Sequence, residues 1–258
     1  MIDELNNQQY EMVELPSKGE CYPHKKGMVP VAYLLASDEN IIFSPKLRNE
    51  RMVGETLLKK KVLDEDIDVD ELCNADREAI LIWLRKTGYG ENYTMPITKQ
   101  IIDLSYIIFE DFNYFGDENG HFDYLMKNGD RIKYRILPYK EESAIINKYL
   151  ESDEFLSNDT TTKIISEALV RQTVSVNGNI DREYIEDYLK NISQEHLNSY
   201  LMFVYHNTPK LTTDEDFIFN FGDSLFYDII AVRRFFYHKV SCLYESSSGT
   251  LTGSSALL

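Results

Sequence analysis

The fold is decided near the start of the chain by the stretch Glu14-Leu15-Pro16-Ser17-Lys18-Gly19-Glu20-Cys21-Tyr22-Pro23. Residues Leu15 to Gly19 predict a tight turn, since Pro16 presets one backbone angle and Gly19 allows a positive one. A short strand is predicted directly afterwards, from Met28 to Ala36. Together these signals predict a small N-terminal piece made of a turn and a strand.

The second informative stretch reads Asp76-Arg77-Glu78-Ala79-Ile80-Leu81-Ile82-Trp83-Leu84-Arg85-Lys86-Thr87-Gly88-Tyr89-Gly90-Glu91-Asn92-Tyr93. Apolar residues recur at helical spacing from Arg48 to Lys86, which predicts a helical middle region. Gly88 is predicted to end the last of these helices, because glycine readily takes the left-handed conformation of a helix C-cap.

An acidic, alternating linker joins the helices of this middle region and reads Asp64-Glu65-Asp66-Ile67-Asp68-Val69-Asp70-Glu71. Carboxylates complement the positive end of a helix, so Asp68 and Asp70, or Asp76 for the next helix, are candidate caps or first-turn anions. The linker lacks the glycine and the late glutamate of a calcium-binding EF-hand loop. Calcium binding is therefore a minor alternative.

The chain changes to β character from Tyr93 to Leu137. Two hairpin turns are predicted, at Glu118-Asn119-Gly120 and at Asn128-Gly129, because Asn-Gly supplies the positive backbone angles of tight turns. The segments predicted to pair as antiparallel strands are His121 to Met126 and Asp130 to Leu137, with a further strand within Ile101 to Phe115.

After Pro138 the pattern is mainly helical. Four helices are predicted, followed by an aromatic segment that continues as a helix; the ranges are Glu141 to Leu150, Thr162 to Val174, Asp181 to Ile192, Gln194 to His206 and Phe217 to Tyr244. A turn is predicted at Val176 to Asn179. The fold class is α+β, with an N-terminal α+β subdomain over 1–137, a helical subdomain over 138–245 and a flexible tail over 246–258.

Composition narrows the function classes. The 258 residues carry a formal net charge of −16, which disfavours nucleic acid as a partner because phosphate binding depends on Lys and Arg. The three cysteines, Cys21, Cys73 and Cys242, are scattered, which argues against a disulfide framework. No membrane-spanning stretch and no signal peptide are evident, so we expect a cytoplasmic site of synthesis.

The sequence contains no recognisable catalytic or metal-binding motif. The five histidines are isolated from one another, and Cys21 with His24 supplies at most half of a tetrahedral metal site. Gly88-Tyr89-Gly90 lacks the remaining residues of a phosphate loop and follows a helix instead of a strand. The sequence therefore predicts a protein that is not an enzyme and has no catalytic residues, cofactor or metal.

Two of these stretches carry a resemblance. The pattern from Leu15 to Pro23, followed by Leu72 to Tyr93, resembles the baseplate hub and hub-assembly protein family of T4-like contractile-tailed bacteriophages. Looser similarity extends over Val174 to Gly178, Tyr184 to Leu189 and Phe217 to Phe236. Where relatives carry Cys-x-x-Cys pairs, this chain has Tyr93-Thr94-Met95-Pro96 and Phe219-Asn220-Phe221-Gly222, so the resemblance does not imply bound zinc.

The resemblance implies a phage tail protein located in the baseplate of the virion and in the host cytoplasm during assembly. Its implied partners are other baseplate hub and tail proteins, including the tape-measure protein. Arg85, Tyr89 and Tyr93 are the candidate partner contacts, because Arg and Tyr are enriched at interface hot spots. The alternatives are that these side chains pack the end of the helix onto the hairpin region, and that the protein is a tail-tip cell-wall hydrolase acting through paired carboxylates.

Overall fold

A computed structural model describes residues 9–49, 52–94, 101–150 and 158–212, and these ranges form an α+β fold. The helices are α1 (Glu39–Ile42), α2 (Pro45–Asn49), α3 (Val53–Lys61), α4 (Asn74–Tyr89), α5 (Tyr139–Leu150), α6 (Asn158–Gln172), α7 (Arg182–Asn191) and α8 (Gln194–His206). The strands are β1 (Tyr10–Glu14), β2 (Met28–Ala32), β3 (Asn92–Thr94), β4 (Ile101–Asp103), β5 (Ile108–Phe109), β6 (His121–Leu125), β7 (Arg131–Arg135), β8 (Thr173–Val176) and β9 (Leu211–Thr212).

The strands form small antiparallel sheets. β1 pairs with β2, β3 with β4 and β5 with β9, while β6, β7 and β8 form a three-stranded sheet in that order. In the first sheet Val13 lies opposite Val29, and both side chains are buried. The predicted strand after the N-terminal turn is thus present, although it ends at Ala32 and not at Ala36.

The predicted hairpin at Asn128-Gly129 is confirmed. Gly129 has a φ of 91°, and Met126 and Asp130 close the turn through a backbone hydrogen bond of 2.8 Å. Ile132 and Tyr134 alternate inward along β7 and are fully buried. The Glu118-Asn119-Gly120 turn also forms, but the chain on its N-terminal side is an irregular loop and not a paired strand.

Two predictions at element ends are wrong. The helix predicted to continue to Val174 ends at Gln172, and Thr173 to Val176 instead forms β8 beside β7. The helix predicted to end before Gly88 continues to Tyr89, and Gly90, with a φ of 82°, follows it. A Cβ atom added to Gly88 would come within 2.7 Å of Leu34 Cδ1, so Gly88 allows close packing instead of ending the helix.

One hydrophobic cluster includes residues from both sides of residue 137. Leu15, Val31, Ile80, Tyr134 and Tyr200 are among its fully buried members. A smaller cluster lies between α5 and α6. The division into subdomains at 137 stays a prediction, and the three-stranded sheet takes strands from both sides of it.

Several predictions lie outside the described residues. These are the helix from Phe217 to Tyr244 and the flexible tail over 246–258.

One further strand is predicted within Ile101 to Phe115. In the structure this range contains the two short strands β4 and β5. Within the described ranges, no helix combines the length and the apolar character needed to cross a membrane.

Candidate functional site

The two stretches that carry the family resemblance meet at Asp76. This carboxylate lies in the first turn of α4 and is fully buried. It accepts a hydrogen bond of 2.8 Å from the Ser17 backbone N–H, a second from the Ser17 hydroxyl, and one of 2.5 Å from the Tyr22 hydroxyl. We call Ser17, Tyr22 and Asp76 the latch.

The N-terminal turn places Ser17 for this contact. Lys18 and Gly19 both have positive φ angles, 53° and 80°, as the sequence predicts for the glycine. A Cβ atom on Gly19 would come within 2.5 Å of the Lys26 carbonyl carbon, so the turn has room only for glycine there. The Ser17 hydroxyl also accepts the Gly19 N–H at 3.1 Å, which fixes its orientation.

Tyr22 connects the latch to the start of α4. Its hydroxyl accepts the backbone N–H of Cys73, the N-cap residue, at 2.9 Å while it donates to Asp76. A buried N–H group at this point would otherwise have to be satisfied by another partner. The sequence predicted Asp76 as a first-turn anion; its position is confirmed, but its hydrogen bonds go to the N-terminal turn.

Burial controls the charge states around the latch. It raises the pKa of Asp76 above its ordinary value of 3.8, against the opposing effect of the hydrogen bonds from Ser17 and Tyr22. Burial, and then a hydrogen bond with Cys73, raises the pKa of the Cys21 thiol well above its ordinary value. This shift disfavours the thiolate, which is the nucleophilic form of cysteine. The hydrogen bonds of the latch join the N-terminal turn to α4.

The described part of the chain contains no group of three or more His, Cys, Asp or Glu side chains placed to hold a metal ion. His24, the candidate companion of Cys21, accepts the Lys26 N–H on Nδ1 at 3.0 Å. Its ring stacks on Tyr22, with centroids 4.8 Å apart. In the acidic linker, the Asp68 carboxylate accepts the Asp70 N–H and caps a short 3-10 turn. This confirms the prediction that Asp68 is a cap.

The candidate partner contacts lie at the end of α4. The Arg85 guanidinium donates to the carbonyl oxygens of Gly90 and Asn92, at 3.2 and 3.4 Å. It also lies 5.1 Å from the centroid of the Tyr89 ring, which is 43% exposed. Arg85 thus packs the helix end against β3, whereas Tyr89 has surface left for a partner. The backbone of Tyr93, in β3, pairs with that of Ile102 in β4.

A loop that binds the N-terminal turn was not predicted from the sequence. We call residues Asp111 to Gly116 the aromatic loop. Lys18 forms an ion pair with Asp111, and Lys25 donates to the Gly116 carbonyl at 2.8 Å. The Glu20 carboxylate accepts the Gly116 N–H at 3.1 Å. The signal in the sequence was the aromatic run Phe112-Asn113-Tyr114-Phe115-Gly116, which has acidic residues on both sides.

A shallow cavity of about 320 Å³ lies between α7, the tip of the β6–β7 hairpin and the start of α8. Asn128, Tyr184, Tyr188 and His196 are among its lining residues. Several of its polar groups already have partners. The Tyr188 hydroxyl donates to Asp130 at 2.6 Å, and the Ser193 hydroxyl lies 2.9 Å from His196 Nδ1. This cavity carries no functional assignment.

The comparisons with known proteins found no matching family, no matching curated protein and no matching solved structure. The resemblance to baseplate hub proteins therefore rests on the residues that carry it.

Proposed function

We propose that this chain is a non-enzymatic tail protein of a contractile-tailed bacteriophage, either a baseplate hub component or a factor that assembles the hub. Its proposed partners are other baseplate proteins, with the tape-measure protein among them. Its proposed location is the tail baseplate of the virion, and the host cytoplasm during assembly.

The observation that carries the proposal is the contact between Ser17 and Asp76. The two sequence segments that resemble the hub family are separate in the chain, and the latch joins them into one unit. Inside the protein, Tyr22 of the first segment donates to Asp76 of the second and accepts the Cys73 N–H. Such residues maintain a fold and the surface it presents, which fits a protein whose work is binding.

The surface also suits this role. Tyr89, Tyr114 and Phe115 lie 43%, 42% and 84% exposed on segments anchored by specific hydrogen bonds or ion pairs. Aromatic side chains are enriched in the centres of protein interfaces. The net charge of −16 favours solubility before assembly and basic partner surfaces.

The proposal is tested by locating the protein during infection. A tagged full-length chain is followed by mass spectrometry in finished particles and in purified assembly intermediates. Recovery from finished particles identifies a resident hub subunit, and recovery from intermediates alone identifies an assembly factor. Recovery from neither contradicts both versions. The hydrolase alternative stays a prediction of the sequence, and a peptidoglycan zymogram tests it.

A further inference from the structure

We propose that the aromatic loop is a preformed docking element whose Phe115 side chain inserts into an apolar pocket with a basic rim on a partner protein. This inference rests on the proposed function, because the partner is taken to be another tail protein. It adds a specific contact surface and the chemistry of the surface that receives it.

Phe115 is placed for a partner and not for the core. Its side chain is 84% exposed, whereas Phe112 on the same loop is 5% exposed and packs edge-on against Phe122. Tyr114, between them, is 42% exposed and lies 6.5 Å from the Phe203 ring. The loop is thus anchored through Phe112 and Tyr114 and presents Phe115 to solvent.

The loop is fixed in place by the N-terminal turn. Lys18 holds the side chain of Asp111, while Glu20 and Lys25 bind the backbone N–H and carbonyl of Gly116. A Cβ atom at Gly116 would come within 2.2 Å of the Glu20 carbonyl oxygen, so the approach is closer than any other residue allows. A side chain presented by an ordered loop loses little conformational entropy on binding.

Charge decides which occupant fits. The segment from Glu110 to Asp123 contains five carboxylates. Glu110, Asp111 and Asp117 pair with lysines from other elements (Lys210, Lys18 and Lys133), which leaves Glu118 and Asp123 without an ion-pair partner in the described structure. A second copy of this chain carries a net charge of −16, and residues 213–258 of the same chain carry six acidic and three basic side chains. Both would bring like charges together, whereas a basic partner surface is attracted. The observations therefore favour a different, basic protein.

The test uses the full-length chain and, as probes, the purified hub and tape-measure proteins encoded by the same phage. Affinity is measured for the wild-type chain, for Phe115→Ser and for the control Phe43→Ser, which removes another exposed phenylalanine (56% exposed) at the end of α1. We expect Phe115→Ser to weaken binding to one of these proteins at least about tenfold, and Phe43→Ser to leave it unchanged. The unfolding midpoints of both variants should match the wild type.

Two further measurements sharpen the test. Gly116→Ala keeps the phenylalanine but displaces the loop, so it too should weaken binding. Raising the salt concentration from about 0.1 M to about 0.5 M should lower the affinity, because exposed charges are screened more strongly. A photoreactive benzoylphenylalanine in place of Phe115 should cross-link to the same basic protein.

The outcomes separate the two proposals. If the wild-type chain binds none of these tail proteins, the proposed function fails and the loop inference fails with it. If the wild-type chain binds and Phe115→Ser binds equally well, the loop inference alone is wrong. Cross-links from position 115 that reach only residues 213–258, or only a second copy, also overturn it.

Discussion

The Tyr22 hydroxyl donates a hydrogen bond of 2.5 Å to the Asp76 carboxylate, although the two residues are 54 positions apart in the chain. Both side chains are buried, and Ser17 binds the same carboxylate from the turn beside Tyr22. A single acidic side chain therefore links the N-terminal turn to the longest described helix.

Removal of this carboxylate should destabilise the fold strongly. Asp76→Ala leaves the Ser17 N–H, the Ser17 hydroxyl and the Tyr22 hydroxyl without their acceptor, and we expect the free energy of unfolding to fall by about 3 kcal/mol. Tyr22→Phe should cost about 1.5 kcal/mol, and the double variant less than the sum, because the two residues share one bond. Urea unfolding measures each value. Asp123→Ala, an exposed strand position, should match the wild type; equal losses for Asp76 and Asp123 would contradict the latch.

The buried ion pair between Lys61 and Asp38 predicts a second large effect. Both side chains are fully buried, and Lys61 also donates to the Tyr33 carbonyl at 3.0 Å. Lys61→Ala leaves the Asp38 carboxylate with one fewer cation, and we expect a loss of about 3 kcal/mol in urea unfolding. The matched control is Lys190→Ala, whose exposed pair with Glu186 should leave stability unchanged within error. A Lys61 variant as stable as this control would be inconsistent with the packing described.

Removal of the hydroxyl group is expected to have different effects on stability at two buried tyrosines. The Tyr134 hydroxyl is buried without a hydrogen-bond partner in the described structure, whereas the Tyr200 hydroxyl lies 3.0 Å from the Thr173 hydroxyl. Tyr134→Phe should therefore leave stability unchanged or raise it by about 1 kcal/mol, and Tyr200→Phe should lower it by about 1 kcal/mol. Thermal unfolding of the two variants side by side checks the order, and the reverse order would refute this assignment of partners.

The lowered pKa of Asp117 predicts how the stability of the fold depends on pH. Although burial opposes the charged form, Lys133 and the N–H groups of His121 and Asn119 lower the pKa of Asp117 from 3.8 to about 2. The unfolded carboxyl takes up its proton at a higher pH than the folded one, so this stabilisation is fully present above the unfolded value and is lost as the pH falls through the folded value. After allowance for solvent screening, Asp117→Asn should cost about 1 kcal/mol at neutral pH.

The measurement for Asp117 is the difference in free energy of unfolding between wild type and Asp117→Asn across a pH series. We expect this difference to shrink as the pH falls from about 4 toward about 2. A difference that stays constant over this range would show that the carboxylate is not preferentially charged in the folded state.

Local signals in the sequence were enough for several elements. Ser193 caps α8, and Gln194 to His206 forms a helix with the predicted bounds. The hairpin at Asn128-Gly129 follows from the backbone angles that Asn-Gly favours. These predictions succeeded because the deciding interactions lie within a few residues of each other.

The remaining features depend on residues far apart in the chain. Thr173 to Val176 forms a strand because it pairs with the open edge of β7. The spacing of apolar residues in the sequence does not show which distant strand a segment pairs with. Gly88 lies inside α4 because Leu34 packs against it. The aromatic loop is held by Lys18, 93 positions from Asp111. Hydrophobic periodicity carries no information about such pairings.

The proposed tail function is tested most directly by counting completed tails by electron microscopy after infection with phage that carry a stop codon in this gene. Without the protein, we expect tails to stall before a complete baseplate forms. Wild-type chain or Phe43→Ser supplied by the host should restore completed tails, and Phe115→Ser should not. Equal numbers of completed tails with and without the protein would contradict the proposed role as a docking subunit of the tail.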